Sequence, residues 1–469
     1  MKLATLDTDP TPIAPAIGQA VAHLRAVGIE PGDRVLVCDE NSPELVIALL
    51  ALVQIDCSIV LADDSVDQSS LHHMVDVAAP KAVLARSTAS LAPITTSPPS
   101  SWALFSTSPE PPAAVAEKAS GWDASLPWIQ REDALVLFTS GSSGQAKGVV
   151  RSGRAMMSNI EATHKVMGYR PDDVLLSLVP VTHQYGFSIA LLAWLTSCTL
   201  ALGHPSRPVE SLRAMTQRCD VTVVDGAPSH YEALLTARTE DPSAGAQVRM
   251  WCVGGAPCSA SLRNRFAEMF GEPLLDGYGM TELGNIALGT SDSPEGVGLP
   301  IPGVEVKVMD TTSPERECTP GRPGRLLVRS RHAFHRYLHE ESPQPRDDWF
   351  DTEDLGWKAE DGTLHVVGRL GAVHRHGHTL HLAGLEAQLR EHGLNAVLIA
   401  IDADETGETP QTDARLLAYV EGTDQRALKR EVRDSLPRFA WPSSITVLER
   451  FPLLPNGKVD RTALTPTES

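Results

Sequence analysis

The chain runs Leu135-Val-Leu-Phe-Thr-Ser-Gly-Ser-Ser-Gly-Gln-Ala-Lys-Gly-Val-Val150, an apolar run that breaks into small hydroxyl residues and closes on a lysine. Gly141 and Gly144 let backbone N–H groups come close to an anion. Thr139, Ser140, Ser142 and Ser143 add hydroxyl donors, and Lys147 adds a mobile positive charge. Together these groups have the chemistry of a cradle for a nucleotide triphosphate. The loop is not a Walker A loop, because Gly148 stands where the magnesium-binding Ser or Thr would follow the lysine. Taken alone, it also reads as a Ser/Gly turn between a strand and the next element.

Further groups suited to a nucleotide follow in order. Gly254-Gly255-Ala256-Pro257 comes after an apolar strand and lets backbone approach a flat ring. Asp276-Gly277-Tyr278-Gly279-Met280-Thr281-Glu282 offers an aromatic face, a hydroxyl and carboxylates within one short stretch. Trp349-Phe350-Asp351-Thr352-Glu353-Asp354-Leu355-Gly356 puts Asp354 at the edge of a turn, and Pro452–Arg461 carries Lys458 in a Pro/Gly setting.

These motifs need rigid elements beneath them. Apolar strand-like runs at Arg34–Cys38, Ala82–Ala85, Ala134–Phe138, Val174–Leu178, Val221–Val224 and Met250–Val253 alternate with helical stretches, which predicts α/β with mainly parallel sheets. Leu45–Ala62 reads as a buried helix followed by a strand, since Gln54 and Asp56 interrupt it as a membrane span. Ser87–Ser120, rich in Ser, Thr, Pro and Ala, reads as a surface excursion. From Gly296 to Val328, short strands with Gly and Pro turns predict a small β-rich section. A junction near Gly368-Arg369-Leu370-Gly371 leaves a last stretch long enough for a small, mobile α+β domain. The expected division is 1–369 for the large N-terminal domain, carrying nucleotide and acid sites, and 370–469 for a C-terminal lid.

Composition narrows the partners. At 469 residues the chain exceeds what one core usually organises. Its 42% hydrophobic and 21% charged content is that of a soluble globular protein. A net charge of −19 argues against nucleic acid or an anionic membrane as partner. The seven cysteines are scattered without Cys-x-x-Cys pairs, and the N-terminus lacks the apolar core of a signal peptide. Both point to a reduced, cytoplasmic protein.

With these motifs in this order, from roughly residue 20 to the C-terminus, the chain resembles the adenylate-forming superfamily. That superfamily includes acyl- and aryl-CoA synthetases, peptide-synthetase adenylation domains and luciferases. The resemblance implies an AMP-forming ligase using ATP, Mg²⁺ and CoA on a small-molecule carboxylic acid. It implies that Thr139–Lys147 handles the β- and γ-phosphates, although Ala146 stands where the family usually has Pro. Gly255, Ala256 and Tyr278 would flank the adenine, with Asp276 near its amino group and Gly279 in the same nucleotide motif. Thr281 would contact the α-phosphate and Glu282 would hold Mg²⁺. Asp354 would take the ribose hydroxyls, with Arg369 nearby. The family's Thr-Gly-Asp appears here as Thr352-Glu353-Asp354, so the ribose acid survives beside a different neighbour. Lys458 would bridge the carboxylate and the α-phosphate.

By the same resemblance the acid pocket falls among Val181–Phe187, Gly226–Ser229, Gly254–Gly255 and Tyr278–Ile286. Its candidate residues are His183, Gln184, Tyr185, Gly226, Gly254, Gly277 and Met280, with His183 gating the pocket or touching the carboxylate. Pro180–Gly186 holds no Asp to pair with a substrate ammonium, and an unpaired buried ammonium is costly. An acid without an α-amino group is therefore expected. The hinge departs most from the family. Gly371 follows Gly368-Arg369-Leu370 where Asp or Lys is usual, and Gly384-Leu385-Glu386 replaces Glu-x-Glu. Gly377, which would line the thiol tunnel, is retained. His374, His376 and His378 alternate along a strand, a spacing that can ligate zinc, but no further patterned ligand supports it. Adenylation followed by CoA thioesterification is the leading expectation. Adenylation with transfer to a carrier protein or a partner acyltransferase is the second, and a non-catalytic nucleotide-binding homologue the third.

Overall fold

Strands here are nearly continuous Val, Leu and Ile, the pattern of sheets covered on both faces. The structure is a computed structural model. It describes residues 1–6, 8–63, 66, 68–85, 126–139, 147–237, 245–256, 258–311, 313, 315–338, 348–369, 372–375, 378–401, 415–452 and 464. They fall into two compact units. One comprises Met1–Thr139 with Ala146–Val366, and the other is described from Val367 onward.

In the large unit the described residues form a nine-stranded sheet. Its order is Leu299–Pro300, Gly284–Leu288, Leu274–Met280, Met250–Val253, Val223–Gly226, Val174–Ser177, Thr199–Leu202, Lys2–Thr5 and Thr8–Pro12. Pairing is parallel from Leu274–Met280 through to Lys2–Thr5 and antiparallel at both edges. A second sheet orders Arg336–Tyr337, Lys147–Arg151, Leu135–Thr139, Ser58–Ala62, Arg34–Cys38 and Ala82–Leu84. A third, of Val304–Met309, Gly324–Ser330, Phe350–Lys358 and Leu364–Arg369, is the β-rich section expected after Gly296. The α/β reading with mostly parallel sheets thus holds.

The expected buried helix and strand in Leu45–Ala62 are Pro43–Ile55 and Ser58–Ala62. Ser42 caps the helix by accepting from Leu45 N–H, Pro43 stands at its first turn, and Asp56 ends it in a left-handed conformation. The helix is apolar all round because it sits in a shared core. That core also gathers Leu191–Trp194 of helix Gln184–Thr196 and strand residues of both large sheets, among them Leu61, Leu137, Leu200 and Met250. No helix among the described residues is long and apolar enough to cross a membrane.

The small unit is α+β. Ala396–Ile401 pairs antiparallel with Arg415–Glu421, which pairs parallel with Ser444–Leu448, and helices Leu382–Glu391 and Gln425–Asp434 accompany them. Ala372–Arg375 and His378–His381 form a hairpin, with His374 opposite Thr379 and Arg375 opposite His378. His376 and Gly377 at its tip, and the Ser87–Ser120 excursion, lie outside the described residues.

Candidate active site

Lys147 opens strand Lys147–Arg151, which pairs antiparallel with Leu135–Thr139 and sets Thr139 opposite Lys147. Ser140, Gly141, Ser142, Ser143 and Gly144 lie outside the described residues, as do Lys458 and Gly377. The Lys147 ammonium stands 5.5 Å over the ring of Tyr337. The Tyr337 hydroxyl donates to Glu282 Oε1 at 3.3 Å. One aromatic side chain therefore links the phosphate-cradle lysine to the expected magnesium ligand.

Arg151, four residues beyond Lys147, is wholly buried at 0% exposure. It donates to the Thr281 carbonyl at 3.1 Å and the His332 carbonyl at 2.7 Å. Burial pulls its guanidinium down to about 10, against the favourable field of Glu282. His332 in turn contacts Ser158 Oγ through Nδ1 at 2.7 Å and the Pro302 carbonyl through Nε2 at 3.0 Å. The Thr281–Glu282 turn is thus fixed from below by a buried arginine that no motif pointed to.

On the nucleotide side, the Tyr278 hydroxyl donates to Asp354 Oδ2 at 2.5 Å. Asp354 owes its position to a bulge: two steps along Gly324–Ser330, from Arg325 to Leu327, are matched by four along the partner strand, from Leu355 to Asp351. Glu353, in the middle, has φ +60°, the region that favours glycine. Thr352 Oγ1 donates to the Leu326 carbonyl at 2.9 Å and accepts from Asp354 N–H at 3.1 Å, which holds the bulge closed. Gly255, at φ +80°, has nothing within 4 Å of where a Cβ would stand, so its outer face is open to a flat ring. Ala256 follows it directly.

Asp276 is buried and engaged: Arg263 Nη1 lies 3.2 Å from its Oδ2. Burial nonetheless outweighs the arginine and pushes the carboxyl up to about 7. Gly279 belongs to the sheet as much as to any ligand, since a Cβ there would stand 2.7 Å from the Gly284 carbonyl. Arg369 ends strand Leu364–Arg369.

A cavity of about 250 Å³ opens beside these groups. His183, Gln184, Tyr185, Gly254, Gly277 and Met280 all line it, as do Gly255, Gly279 and Thr281. Gly226 does not, although the sequence placed it there. It packs against His230 and Tyr231, whose ring atoms would stand 3.2 Å from a Cβ, and its neighbour Asp225 lines the cavity instead. His183 sits at the rim, its side chain 60% exposed, with Nε2 3.3 Å from Asp63 Oδ2. Asn41 secures this loop by accepting from Val181 N–H at 2.7 Å and donating to the Val179 carbonyl at 3.0 Å. Gln184 Nε2 donates to the Met280 carbonyl at 3.4 Å.

Strand Leu274–Met280 joins the two halves of the site. Leu275 and Gly277 border the cavity while Tyr278, on the alternate face, meets Asp354; past the irregularity at Tyr278–Gly279, both Gly279 and Met280 also line the cavity. Arg151, Tyr337, Asp63 and Asp225 were not singled out in the sequence. A charged residue ending an apolar strand, as in Lys147–Arg151, is the one signal that could have found Arg151. Cys252, in the cavity lining, is buried, and that burial pushes its thiol well up.

Residues 16–338 match the AMP-binding enzyme family. A 2-succinylbenzoate–CoA ligase from Bacillus pumilus (strain SAFR-032) is 28% identical over 341 residues, 70% of this chain and 68% of that protein. The human mitochondrial malonate–CoA ligase is 26% identical over 406 residues, 77% of this chain and 69% of that protein. Among solved structures, the amide bond synthetase McbA from Marinactinospora thermotolerans aligns with a TM-score of 0.78 at 25% identity, covering 96% of this chain and 93% of that one.

Proposed function

The chain belongs to the AMP-binding enzyme family, the adenylate-forming ligases, and on that premise we propose that it activates a carboxylic acid without an α-amino group as its acyl-adenylate, then transfers the acyl group to CoA. The observation that carries the proposal is the shared strand Leu274–Met280. It borders an acid-sized cavity on one face and presents Tyr278 to Asp354 on the other, and both faces end at Thr281 and Glu282.

The acid's carboxylate oxygen attacks the α-phosphorus of ATP, the bond to the bridging oxygen breaks, and pyrophosphate leaves. The thiol of CoA then adds to the acyl carbonyl and AMP departs. Two anions must meet in the first step, so catalysis rests on charge placed in advance. Asp354 takes the ribose, Arg369 serves the same nucleotide, and Gly255, Ala256 and Tyr278 flank the adenine. Asp276, bound to Arg263, shapes the wall near the adenine amino group. Thr281 contacts the α-phosphate. Lys147 and the Thr139–Gly144 loop hold the β- and γ-phosphates, and Lys458 bridges the two reacting anions. A Mg²⁺ ion held by Glu282 would supply further charge neutralisation. Gly377 would line the path of the thiol.

A second acceptor deserves a test because the hinge acids are changed. Glu386, the surviving acid of that motif, is buried and accepts Leu398 N–H at 2.7 Å, a structural task. Adenylation with transfer to a carrier protein or partner acyltransferase would use the same first step. Mass spectrometry of reactions with Mg²⁺-ATP and an acid panel, with and without CoA, decides between them. An amine is included because one structural relative is an amide bond synthetase. Acyl-CoA formation is the expected outcome. Acyl-AMP that accumulates despite CoA would move the second step elsewhere, and no acyl-AMP from any acid would sink the proposal.

A further inference from the structure

The acid cavity contains a charged group that the reaction does not use. Asp225, 2% exposed, lines it from strand Val223–Gly226. The Tyr185 hydroxyl donates to Asp225 Oδ1 at 2.9 Å, but Oδ2 is buried with no hydrogen-bond partner among the described residues. Such an orphan costs about 1–3 kcal/mol or more unless something completes it.

The nearby Tyr231 hydroxyl is committed to the Val224 and Cys252 carbonyls. Oδ2 is therefore open to a partner that enters through the cavity it lines. Gln184 Oε1, also in the lining, is a second buried acceptor without a hydrogen-bond partner among the described residues. Both orphans are acceptors, so the missing chemistry is donation.

Register fixes where Asp225 stands. It pairs with Cys252, which pairs with Leu275. Thr281 lies beyond the C-terminal end of strand Leu274–Met280, past its irregularity at Tyr278–Gly279, and lines the same cavity. Asp225, at the level of Leu275, therefore faces a part of the substrate away from the carboxylate at Thr281.

We propose that the substrate acid carries a hydrogen-bond donor, a hydroxyl or amino group, at the end remote from its carboxylate, and that Asp225 selects it. The inference rests on the adenylation reading and names its substrate class. Burial pushes the Asp225 carboxyl up to about 7 despite Tyr185, and a donor placed on Oδ2 would favour its charged form.

Matched acids test this on the full-length protein: 4-hydroxy- and 4-aminobenzoate against benzoate and 4-methylbenzoate, and 6-hydroxyhexanoate against heptanoate. Acyl-AMP formation gives kcat/KM, and calorimetry without ATP gives affinity. The donor-bearing member of at least one set should be favoured roughly 10- to 100-fold, mostly through KM. Asp225→Leu should abolish that preference, while Asp225→Asn, which keeps an acceptor, should retain most of it. Selective binding without turnover would uphold this inference while removing the proposed activity. Preference for the donor-free acids, or a preference that survives in Asp225→Leu, overturns it. If Asp225→Leu does not fold, the wild-type panel and Asp225→Asn carry the decision.

Discussion

Asp225 and Asp276 sit two strands apart in one sheet, both buried and both pushed up to about 7. Their surroundings differ. Asp276, on the nucleotide side, has Arg263 at 3.2 Å. Asp225, on the acid side, has one phenol on one oxygen and no hydrogen-bond partner on the other among the described residues. The nucleotide half closes its polar groups against each other: Tyr278 on Asp354, Tyr337 on Glu282, Arg151 on Thr281. The acid half leaves acceptors unmet. A half that binds one invariant ligand can be preorganised in full, whereas a selective half can leave its last bond to the substrate that fits.

Neutral replacement of the two acids would break this comparison most directly. The folded-state carboxyl of Asp225 titrates near 7, above the unfolded value of 3.8. The folded protein therefore holds that proton more tightly. The associated stability is complete below about pH 4 and is lost as pH rises through about 7. Asp225→Asn lacks this loss, so denaturant midpoints should favour the variant increasingly from pH 4 to 7, by at most about 4 kcal/mol. Asp276→Asn should gain less, because it leaves Arg263 without its carboxylate. Equal gains at both sites would mean that the two carboxyls are not in different electrostatic settings.

Catalytic effects come next. Lys458→Ala should slow acyl-AMP formation about 10²- to 10³-fold, with ATP affinity nearly unchanged, because its charge acts where the two anions meet. Asp354→Ala should instead raise the KM for ATP roughly 10- to 100-fold and leave the KM for the acid alone. An Asp354→Ala variant that shifts acid selectivity would show that the halves are not separable.

The candidate nucleotide residues were legible because they lie in short contiguous motifs, and the structure joins two of them, Tyr278 and Asp354, in one hydrogen bond. The strands were legible from their apolar runs: Arg34–Cys38 and Met250–Val253 end where the pattern predicts. Asp225 was not, for a reason two residues long. The apolar run Val221–Val224 suggested a strand ending before Asp225, whereas the strand is Val223–Gly226. Thr222 serves instead as a lateral tie, accepting Val174 N–H on Oγ1 and donating to Asp173. Asp225, one residue past the apolar run, is thus part of the sheet and buried. Arg151 and Tyr337 were hidden differently, since their partners lie 130 and 55 residues away. No local pattern encodes such contacts.

The smallest effect expected is at Glu353, and it asks how rigidly the nucleotide half is set. A non-glycine residue at φ +60° costs about 1–2 kcal/mol, and glycine returns part of that as unfolded-chain entropy. Glu353→Gly should therefore raise stability by no more than about 1 kcal/mol. Asp354 is aimed by the bulge and by Thr352, whose hydroxyl bonds do not involve the Glu353 side chain. The KM for ATP should then stay within about twofold in the variant, with its melting temperature slightly raised. A large rise in that KM would mean that the strained glutamate itself positions Asp354, and that the nucleotide half keeps its geometry through strain as well as through paired polar groups.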